Sequence, residues 1–395
     1  MKYVNAKDVL PEDLLVSIKK YFQGGYLYVP KEDRCGIKEK TVYKIELEKR
    51  NQQIYLQHLE GKTNGHLGKI YHLSESSIRR IIVKEKGEYR EMEKMIEHIL
   101  PLWGIEEKQL SQIYPTTWEI NRAYVLKIYE DKTQLERNIK TSEILLKCDI
   151  PVAKILPTER KEKYAEIENF YFLMTRKLTG SNLSDRKDTA MAYKMGCAIA
   201  RLHSAFKECE KEIDFWENSL LSEMKGWIQE ALIANEWQII NKEEYKETAA
   251  YLEEIYNFLP RQLIHRDVHF GNFLFFKGDL SGYIDFDLSQ RNIRIFDLCY
   301  FLTGLLAEET DDFFTKSEWL EIVKAVISGY ESRIPLCTEE KNAMPCVMES
   351  IEILFTAYFA TLDNIKLAKD AGKVFRFLKD NEKEIKNTIE SLQYR

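Results

Sequence analysis

The sequence predicts a two-lobed α+β protein that is preceded by a small all-helical domain. Strand-like patterns are concentrated between residues 110 and 176, whereas helical patterns dominate from residue 188 onward. A polar loop borders two short strand-like pieces, at 272–276 and 282–284, and strands followed by helices are typical of α+β architecture. The composition, with 44% apolar and 31% charged residues, is that of an ordinary folded protein, which excludes wholesale disorder, collagen-like repeats and disulfide scaffolds.

The length of 395 residues favours more than one domain, and the patterns divide the chain into four parts. A helical segment is predicted over 1–86, a linker over 87–103, a small lobe over 104–178 and a helical lobe over 179–395. Within the linker, Glu88–Leu100 is predicted to form a polar helix. The predicted elements of the two lobes are strands between Leu110 and Tyr129, a helix at Lys132–Lys147, a buried strand at Phe170–Met174, helices from Asp188 to Phe258 that stop at Pro260, and helices over 313–395.

Charge and cysteine usage indicate the surroundings of the protein. Residues 1–90 carry 18 Lys and Arg against 12 Asp and Glu, a net charge of +6, so the remainder carries −12 of a total of −6. A basic first segment on an acidic body suggests two different partners. The seven cysteines are scattered singly, and the longest apolar run, Leu298–Ala307, is too short for a membrane span. The first residues lack an apolar signal-peptide core, so we expect a cytoplasmic protein without a membrane partner.

The segment with the clearest chemical meaning runs from His265 to Asn272. It has the pattern His-Arg-Asp-x-x-x-x-Asn, and Asp285 follows an apolar strand 18 residues after Asp267. Phosphoryl transfer from ATP needs these residue types, because Asp267 would orient the acceptor hydroxyl and accept its proton. The oxygens of Asn272 and Asp285 are hard ligands that suit Mg²⁺. The alternative is a loop whose polar residues merely cap their neighbours, but the placement of Asp285 after a strand favours catalysis.

Residues of about 105–390 resemble the aminoglycoside phosphotransferase / choline kinase superfamily of kinase-like small-molecule phosphotransferases. His265, Asp267 and Asn272 match its catalytic loop, and Asp285 matches its metal-binding aspartate. Further matches are Ile150–Val152 with a proline-containing turn, Leu173–Arg176 with the inter-lobe hinge, Ala200–His203 with an A-x-L-H helix and Ile295–Leu298 with an Asp-Leu step. The resemblance implies a protein-kinase-like fold with a small mixed lobe, built on an antiparallel sheet, and a large helical lobe.

The resemblance also implies roles for residues of the small lobe. Lys127, on the Val-Leu-Lys-Ile-Tyr strand, would contact the α- and β-phosphates of ATP, although an edge-strand lysine that faces solvent is the alternative. Its partner would be a glutamate on the next helix, either Glu136 or Glu143, which lie seven residues apart on nearly the same face; we favour Glu136. The predicted hinge residues Met174, Thr175 and Arg176 would bind adenine through backbone groups. Mg²⁺ and ATP are the implied cofactors, and the pattern leaves open GTP as the donor in place of ATP.

Some features depart from the family pattern. The loop expected to cover the phosphates, Tyr114–Glu119, contains no glycine, and Asp287 replaces the glycine of Asp-Phe-Gly. Only nine residues separate Asp287 from Asp297, which leaves no room for an activation loop and favours a small-molecule hydroxyl acceptor over a protein. An acidic run could attract a cationic acceptor or form a solvated loop, and it comprises Glu308, Glu309, Asp311 and Asp312.

The basic first segment carries a second pattern. A helix is predicted over Glu46–Leu59, a short helix over Asn64–Tyr71, and a third helix after the N-cap Ser74. This is helix-turn-helix spacing, and base or phosphate contacts with double-stranded DNA would fall on Ser76, Ser77, Arg79 and Arg80. An apolar stripe on the opposite face comprises Ile78, Ile81 and Ile82.

Residues 1–86 resemble small Mor-type helix-turn-helix proteins of bacteria. The matching features are Tyr3–Ala6, Gly25–Pro30, Arg50–Asn51 and Ser77–Ile82. The resemblance implies DNA binding and a homodimer, while Gly65, Gly68 and His72 depart from the pattern. A degenerate helical module kept for dimerisation or docking is the alternative. Two hypotheses for the whole chain follow: a small-molecule kinase fused to a DNA-binding module, or a transcription regulator whose kinase-like body senses a ligand without turnover.

Overall fold

The structure, a computed structural model, describes residues 42–59, 61–71, 74–106, 109–114, 116–182, 186–307, 314–362 and 364–394. Tyr43–Arg395 forms one compact unit. Several sequence expectations lie outside the described residues, namely those on 3–6, 25–30 and His72 and on the acidic run of Glu308, Glu309, Asp311 and Asp312.

Three helices precede the small lobe: α1 (Val42–Leu59), α2 (Asn64–Ile70) and α3 (Glu75–Ile99). The Ser74 hydroxyl accepts a hydrogen bond from the Ser77 N–H at 3.2 Å, which confirms the predicted N-cap of α3. The predicted apolar stripe is also confirmed, because Ile78 and Ile82 are buried and Ile81 packs against them. The other buried members of this core are Ile54, Tyr55 and Leu67.

Helix α3 continues without a break through the segment predicted as a linker. It ends at Ile99 and is followed by a 3₁₀ turn, Leu100–Trp103, which stops at Gly104 with φ +67°. A glycine inside a helix costs about 1 kcal/mol relative to alanine, but Gly87 is exposed and the turns beyond it bury Ile96 and Ile99 against the small lobe. Residues 87–99 therefore join the helical segment to the small lobe as part of one continuous helix.

The small lobe is built on an antiparallel sheet of strand order β1-β2-β3-β5-β4. Its strands are β1 (Leu110–Tyr114), β2 (Thr117–Ile120), β3 (Tyr124–Tyr129), β4 (Ala165–Ile167) and β5 (Phe170–Arg176), and α4 (Lys132–Lys147) follows β3. The predicted strands and the predicted helix at Lys132–Lys147 are thus confirmed.

The two faces of this sheet have different neighbours. Trp118, Leu126 and Met174 lie opposite one another and pack against the end of α3. Successive strand residues point to opposite faces. The other face therefore carries the residues next to these along each strand, which also lie opposite one another: Thr117, Lys127 and Leu173. The strand pattern thus sends Lys127 away from α3 and toward the side on which Leu173 packs with α4.

The large lobe is mainly helical and contains two short antiparallel strand pairs. Strand β6 (Arg261–Ile264) pairs with β9 (Gln290–Ile293), and β7 (Phe273–Phe276) pairs with β8 (Asp279–Tyr283). Its helices are α5 (Thr189–Glu212), α6 (Leu220–Glu223), a π-helical turn at Met224–Ile228, α7 (Gln229–Ala234), α8 (Lys242–Tyr256), α9 (Ile295–Ala307), α10 (Lys316–Glu331), α11 (Thr338–Thr361), α12 (Ile365–Asp380) and α13 (Glu382–Glu390). One extensive hydrophobic core runs through this lobe.

Helix α11 is long and apolar enough to cross a bilayer, and it is the one such helix among the described residues. However, 78% of its most apolar 18-residue window is buried inside the protein. Residues along it contact α8, α9 and α12, so its apolar character is that of a central core helix.

Candidate active site

Asp267 lies on the loop between β6 and β7, and its side chain is 23% exposed. Its Oδ1 accepts a hydrogen bond from the Tyr300 hydroxyl at 2.7 Å, and its Oδ2 accepts one from Asn272 Nδ2 at 3.0 Å. His269 Nε2 lies 3.5 Å from the same Oδ2. The structure thus brings together Asp267 and Asn272, which the sequence motif predicted, with Tyr300, which it did not.

The backbone of this loop is held by a buried carboxylate on α9. Asp297 accepts hydrogen bonds from the N–H of His265 at 2.8 Å and from the N–H of Arg266 at 2.9 Å. The same carboxylate bonds His203 Nε2 at 2.9 Å, and His203 Nδ1 lies 2.9 Å from the Tyr330 hydroxyl. A carboxylate only accepts, so His203 Nε2 donates to Asp297. A chain of buried hydrogen bonds therefore fixes the backbone one residue before Asp267.

Arg266 adds a second anchor to the loop. Its backbone adopts a left-handed conformation with φ +73°, which a non-glycine residue holds only where the surroundings impose it. Its guanidinium lies 4.1 Å from the ring centroid of Phe296 and pairs with both carboxylate oxygens of Glu223 at 2.9 and 3.2 Å. The side chain of Arg266 is thus used to fix the loop.

His265 was predicted to be catalytic, but the structure places it beneath the loop. Its side chain is fully buried between the rings of Phe273 and Phe286, and its Nε2 lies 3.1 Å from the carbonyl oxygen of Ile284. The histidine therefore ties the Asp267 loop to the residue before Asp285, which is a positioning contact. The motif alone could not separate a catalytic role of His265 from a positioning role, because both roles need a polar ring at that position.

Lys127 reaches from the small lobe to two aspartates of the large lobe. Its Nζ lies 2.9 Å from Asp285 Oδ1 and 2.5 Å from Asp287 Oδ2. Asn138, on α4, donates to Asp287 as well. Burial acts to lower the pKa of Lys127, but Tyr129, Asp287 and Asp285 outweigh it, so the pKa lies above its ordinary value and the side chain is charged.

The expected glutamate partner of Lys127 is absent from this group of described residues. Glu136 is exposed, and Glu143 pairs with Lys163 at 2.5 Å. The buried face of α4 instead presents Leu135, Asn138 and Ile139 to the sheet. Residues seven apart share a helical face, but the carboxylates that the structure places against Lys127 are those of Asp285 and Asp287.

The carboxylates of the site are held in their charged forms. Burial acts to raise the pKa of Asp267, but hydrogen bonds from His269 and Tyr300 outweigh it and hold the pKa well below its usual range. Burial also acts to raise the pKa of Asp285, and the neighbouring ammonium of Lys127 lowers it overall. At neutral pH, Asp267 can therefore accept a proton and Asp285 can serve as an anionic ligand.

Asn272 and Asp285 fit the predicted role of metal ligands by their chemistry. The amide nitrogen of Asn272 donates both to the backbone oxygen of Asp267 at 2.9 Å and to its Oδ2, so the amide oxygen is the atom left for a cation. The backbone N–H of Ile284 donates to the Asn272 carbonyl at 3.1 Å, which places Asp285 next to Asn272. An amide oxygen beside a partly exposed carboxylate is a donor set suited to Mg²⁺.

The predicted adenine-binding residues lie within the sheet rather than beyond it. Met174, Thr175 and Arg176 are the last three residues of β5. The Met174 carbonyl accepts from the Leu156 N–H at 2.8 Å, and the Arg176 N–H donates to the Lys154 carbonyl at 2.9 Å. These backbone groups are therefore used in strand-like pairing, and the chain leaves the sheet after Arg176.

The residues predicted to contact DNA lie in the first turns of α3. Ser76, Arg79 and Arg80 are exposed, and Ser77 is half-buried beside the N-cap. Arg79 pairs with Glu75 at 3.8 Å, and Arg80 lies 3.5 Å from the Ser77 hydroxyl. The structure thus leaves these polar side chains on the surface of α3.

Sequence reasoning missed several residues that build the site. Asp297 and His203 were matched to family motifs without a site role, and Asn138 and Tyr300 carried no local signal. Asp287 was noted only as a replacement of glycine. The one helpful pattern is the spacing of three between Asp297 and Tyr300, which places both on one face of α9.

Comparisons with known proteins agree with this geometry. Residues 105–336 match the model of the phosphotransferase enzyme family. A homoserine kinase of Zymomonas mobilis is 24% identical over 270 residues, which cover 65% of this chain and 79% of that protein. The uncharacterized protein YraL of Bacillus subtilis strain 168 is 35% identical over 89 residues, which cover 21% of this chain and 97% of that protein.

A solved structure shows the same fold. The amicoumacin kinase hAmiN, in complex with AMP-PNP, Ca²⁺ and Ami, superposes with a TM-score of 0.57 at 17% identity and covers 77% of this chain and 95% of that one. The expected two-lobed kinase-like fold is confirmed. The chain belongs to the phosphotransferase enzyme family and is a small-molecule kinase whose phosphate acceptor is a hydroxyl group.

Proposed function

We propose that this protein transfers the γ-phosphate of Mg-ATP to the hydroxyl of a small molecule, with the hydroxy amino acid homoserine as the first acceptor to test. The observation that carries the proposal is the convergence of Lys127, Asp285, Asn272 and Asp267 at the junction of the two lobes, with Lys127 Nζ 2.9 Å from Asp285 Oδ1. The similarity to a homoserine kinase supports the choice of acceptor.

Each residue has a role that follows from its position. Asp267, anionic and anchored by three neighbours, would orient the acceptor hydroxyl and take its proton. The ammonium of Lys127 would move from the two aspartates to phosphate oxygens and offset their charge. Mg²⁺ held by Asn272 and Asp285 supplies further neutralisation of phosphate charge.

The chain between Asp287 and Asp297 supports a small acceptor over a protein. Strand β9 and the first two residues of α9 together occupy most of this segment, and β9 pairs with β6, directly before the catalytic loop. A segment used in this way cannot serve as a docking loop for a peptide.

We place the reaction in the cytoplasm, which is supported by the free thiols of the six cysteines in the described residues.

The test is release of ADP from Mg-ATP, with GTP in a parallel series, in the presence of homoserine, ethanolamine, choline, methylthioribose and aminoglycosides. Asp267→Asn keeps the shape of the side chain and removes the base, so it should abolish acceptor-dependent release while leaving the protein folded. Glu321→Gln, on the exposed face of α10, is the matched control. Turnover by Asp267→Asn at the rate of the unaltered protein would remove the mechanism.

Double-stranded DNA is the second candidate partner, through residues 1–86. It is supported by the exposed Ser76, Arg79 and Arg80 on the capped start of α3. A fluorescence-anisotropy titration with genomic fragments at two salt concentrations tests it. Binding that weakens with salt and is lost in the double variant Arg79→Ala, Arg80→Ala would support it, and salt-independent or absent binding would remove it. Nucleotide binding without turnover on any acceptor would instead favour the ligand-sensing regulator.

A further inference from the structure

Tyr300 makes a direct contact with Asp267 that neither the motif nor the proposed function explains. Its hydroxyl donates to Asp267 Oδ1 at 2.7 Å, at the typical length of a hydrogen bond between a hydroxyl and a carboxylate. Resting on the proposed function, we propose that Tyr300 is a positioning residue that fixes the rotation of the Asp267 carboxylate, so that the acceptor hydroxyl meets one defined oxygen lone pair.

The two oxygens of Asp267 are each held from a different side. Tyr300 donates to Oδ1, and Asn272 donates to Oδ2 at 3.0 Å. A carboxylate side chain turns easily about its terminal bond, which has broad and roughly two-fold preferences. Two donors on opposite oxygens remove this freedom. His269 Nε2 also lies 3.5 Å from Oδ2, and a carboxylate offers about four lone-pair sites, so room remains for an acceptor hydroxyl beside these three neighbours.

Tyr300 can act as a fixed donor because its ring is held on both sides. The ring stacks on Phe296 with a centroid distance of 5.9 Å and contacts Phe355 of α11 at 5.8 Å. Phe296 precedes Tyr300 by one helical turn on α9, so the contact is built into the helix. The phenolic oxygen therefore has a set position before any ligand binds.

Helix α9 holds the catalytic loop at two points. Asp297 accepts from the backbone N–H groups of His265 and Arg266, and Tyr300, three residues later on the same helical face, holds the side chain of Asp267. One rigid helix thus sets both the path of the loop and the orientation of its carboxylate. Misplacing a catalytic group by about 1 Å costs on the order of a hundredfold in rate, so this orientation matters for turnover.

The test is Tyr300→Phe, which removes the hydroxyl and keeps the ring between Phe296 and Phe355. We expect kcat for acceptor-dependent ADP release to fall by about tenfold or more, the loss expected for one hydrogen bond to a charged group, while KM for Mg-ATP stays within about twofold. Tyr256→Phe is the matched control. It removes a buried phenolic hydroxyl that bonds the Leu220 N–H and Asn292 in the same lobe, so it should lower stability to a similar extent and leave kcat unchanged.

Three kinetic outcomes would overturn the proposal. An unchanged kcat in Tyr300→Phe shows that Asp267 needs no help from the hydroxyl. Equal losses of kcat in Tyr300→Phe and Tyr256→Phe show that the effect is one of general stability. A higher kcat, or a lower KM for the acceptor, shows that the Tyr300 hydroxyl occupies the place of the acceptor.

A second measurement keeps the proposal separate from the proposed function. If the unaltered protein turns over none of the acceptors, the proposed function fails, and crystal structures of the unaltered protein and Tyr300→Phe then decide the role of the tyrosine. We expect the Asp267 carboxylate to be rotated, or split between two conformers, in the variant. An Asp267 carboxylate with the same single conformer in both crystals overturns the positioning role.

Discussion

Replacing Asp297 with asparagine should weaken both the fold and catalysis, because this carboxylate accepts three hydrogen bonds in a fully buried site. The bonds come from the N–H of His265, the N–H of Arg266 and His203 Nε2. In the least harmful orientation the new amide nitrogen faces the backbone N–H of Arg266. The hydrogen bond from that N–H is then lost, and the N–H is left unpaired. The other two bonds change from charge-assisted to neutral. Together these losses amount to about 3–5 kcal/mol of unfolding free energy.

The thermal shift follows from the size of the protein. With an unfolding entropy of about 2 cal/mol/K per residue, a unit of this length loses about 1.4 K of Tm for each kcal/mol, so Tm should fall by roughly 4–7 °C. The N–H that loses its partner belongs to the residue before Asp267. The loop should therefore shift enough to lower kcat by on the order of a hundredfold.

Differential scanning calorimetry and the ADP-release assay measure the two effects on the same preparation. Glu340→Gln is the control, because Glu340 is also fully buried and pairs with Arg294 at 2.5 Å without touching the loop. It should lower Tm by a comparable amount and retain kcat in the folded fraction. An Asp297→Asn variant with an unchanged Tm and an unchanged kcat would refute the assignment of Asp297 as the anchor of the loop.

Three other changes give distinct expectations. Lys127→Met should raise the Kd for Mg-ATP by about tenfold or more in isothermal titration calorimetry, because it removes the ammonium that offsets phosphate charge; an unchanged Kd would contradict its role. Burial raises the pKa of Glu352 to about 8, above its ordinary 4.5, so the folded state binds this proton more tightly than the unfolded state. The stability that this proton contributes is complete below pH 4.5 and is lost as pH rises through about 8. Glu352→Gln should therefore raise the unfolding free energy at pH 8 by a few kcal/mol, at most about 5, and change it little at pH 4.5 in urea titrations; equal effects at both pH values would count against a buried, protonated Glu352. Tyr89 lies between Tyr55 and Trp118, with ring centroids 5.6 and 4.8 Å away, so Tyr89→Ala should speed hydrogen exchange in α1 and leave β7 and β8 unchanged. Uniform acceleration across both regions would instead indicate a general loss of stability.

Much of the fold could be predicted from local patterns. The strand with Lys127, the helix at Lys132–Lys147 and the N-cap Ser74 depend on alternation, helical periodicity and capping, all of which act within a few residues. The polar helix predicted at Glu88–Leu100 is present, but it is the continuation of α3, whereas the domain boundary was placed at Gly87. A single exposed glycine is too weak a signal to end a helix whose next turns are buried in the small lobe.

The sequence by itself determined which residues could carry the chemistry. The spacing of Asp267 and Asn272, followed by Asp285 after a strand, indicates phosphoryl transfer because a short loop can bring such groups together over a few residues. Only the tertiary structure decided what each group touches. Lys127 and Asp285 are 158 residues apart, and Tyr300 reaches Asp267 across 33. Contacts over such separations depend on how the lobes and α9 pack. Packing is set by the burial of many side chains at once, so no local pattern records that Lys127 would pair with aspartates rather than Glu136.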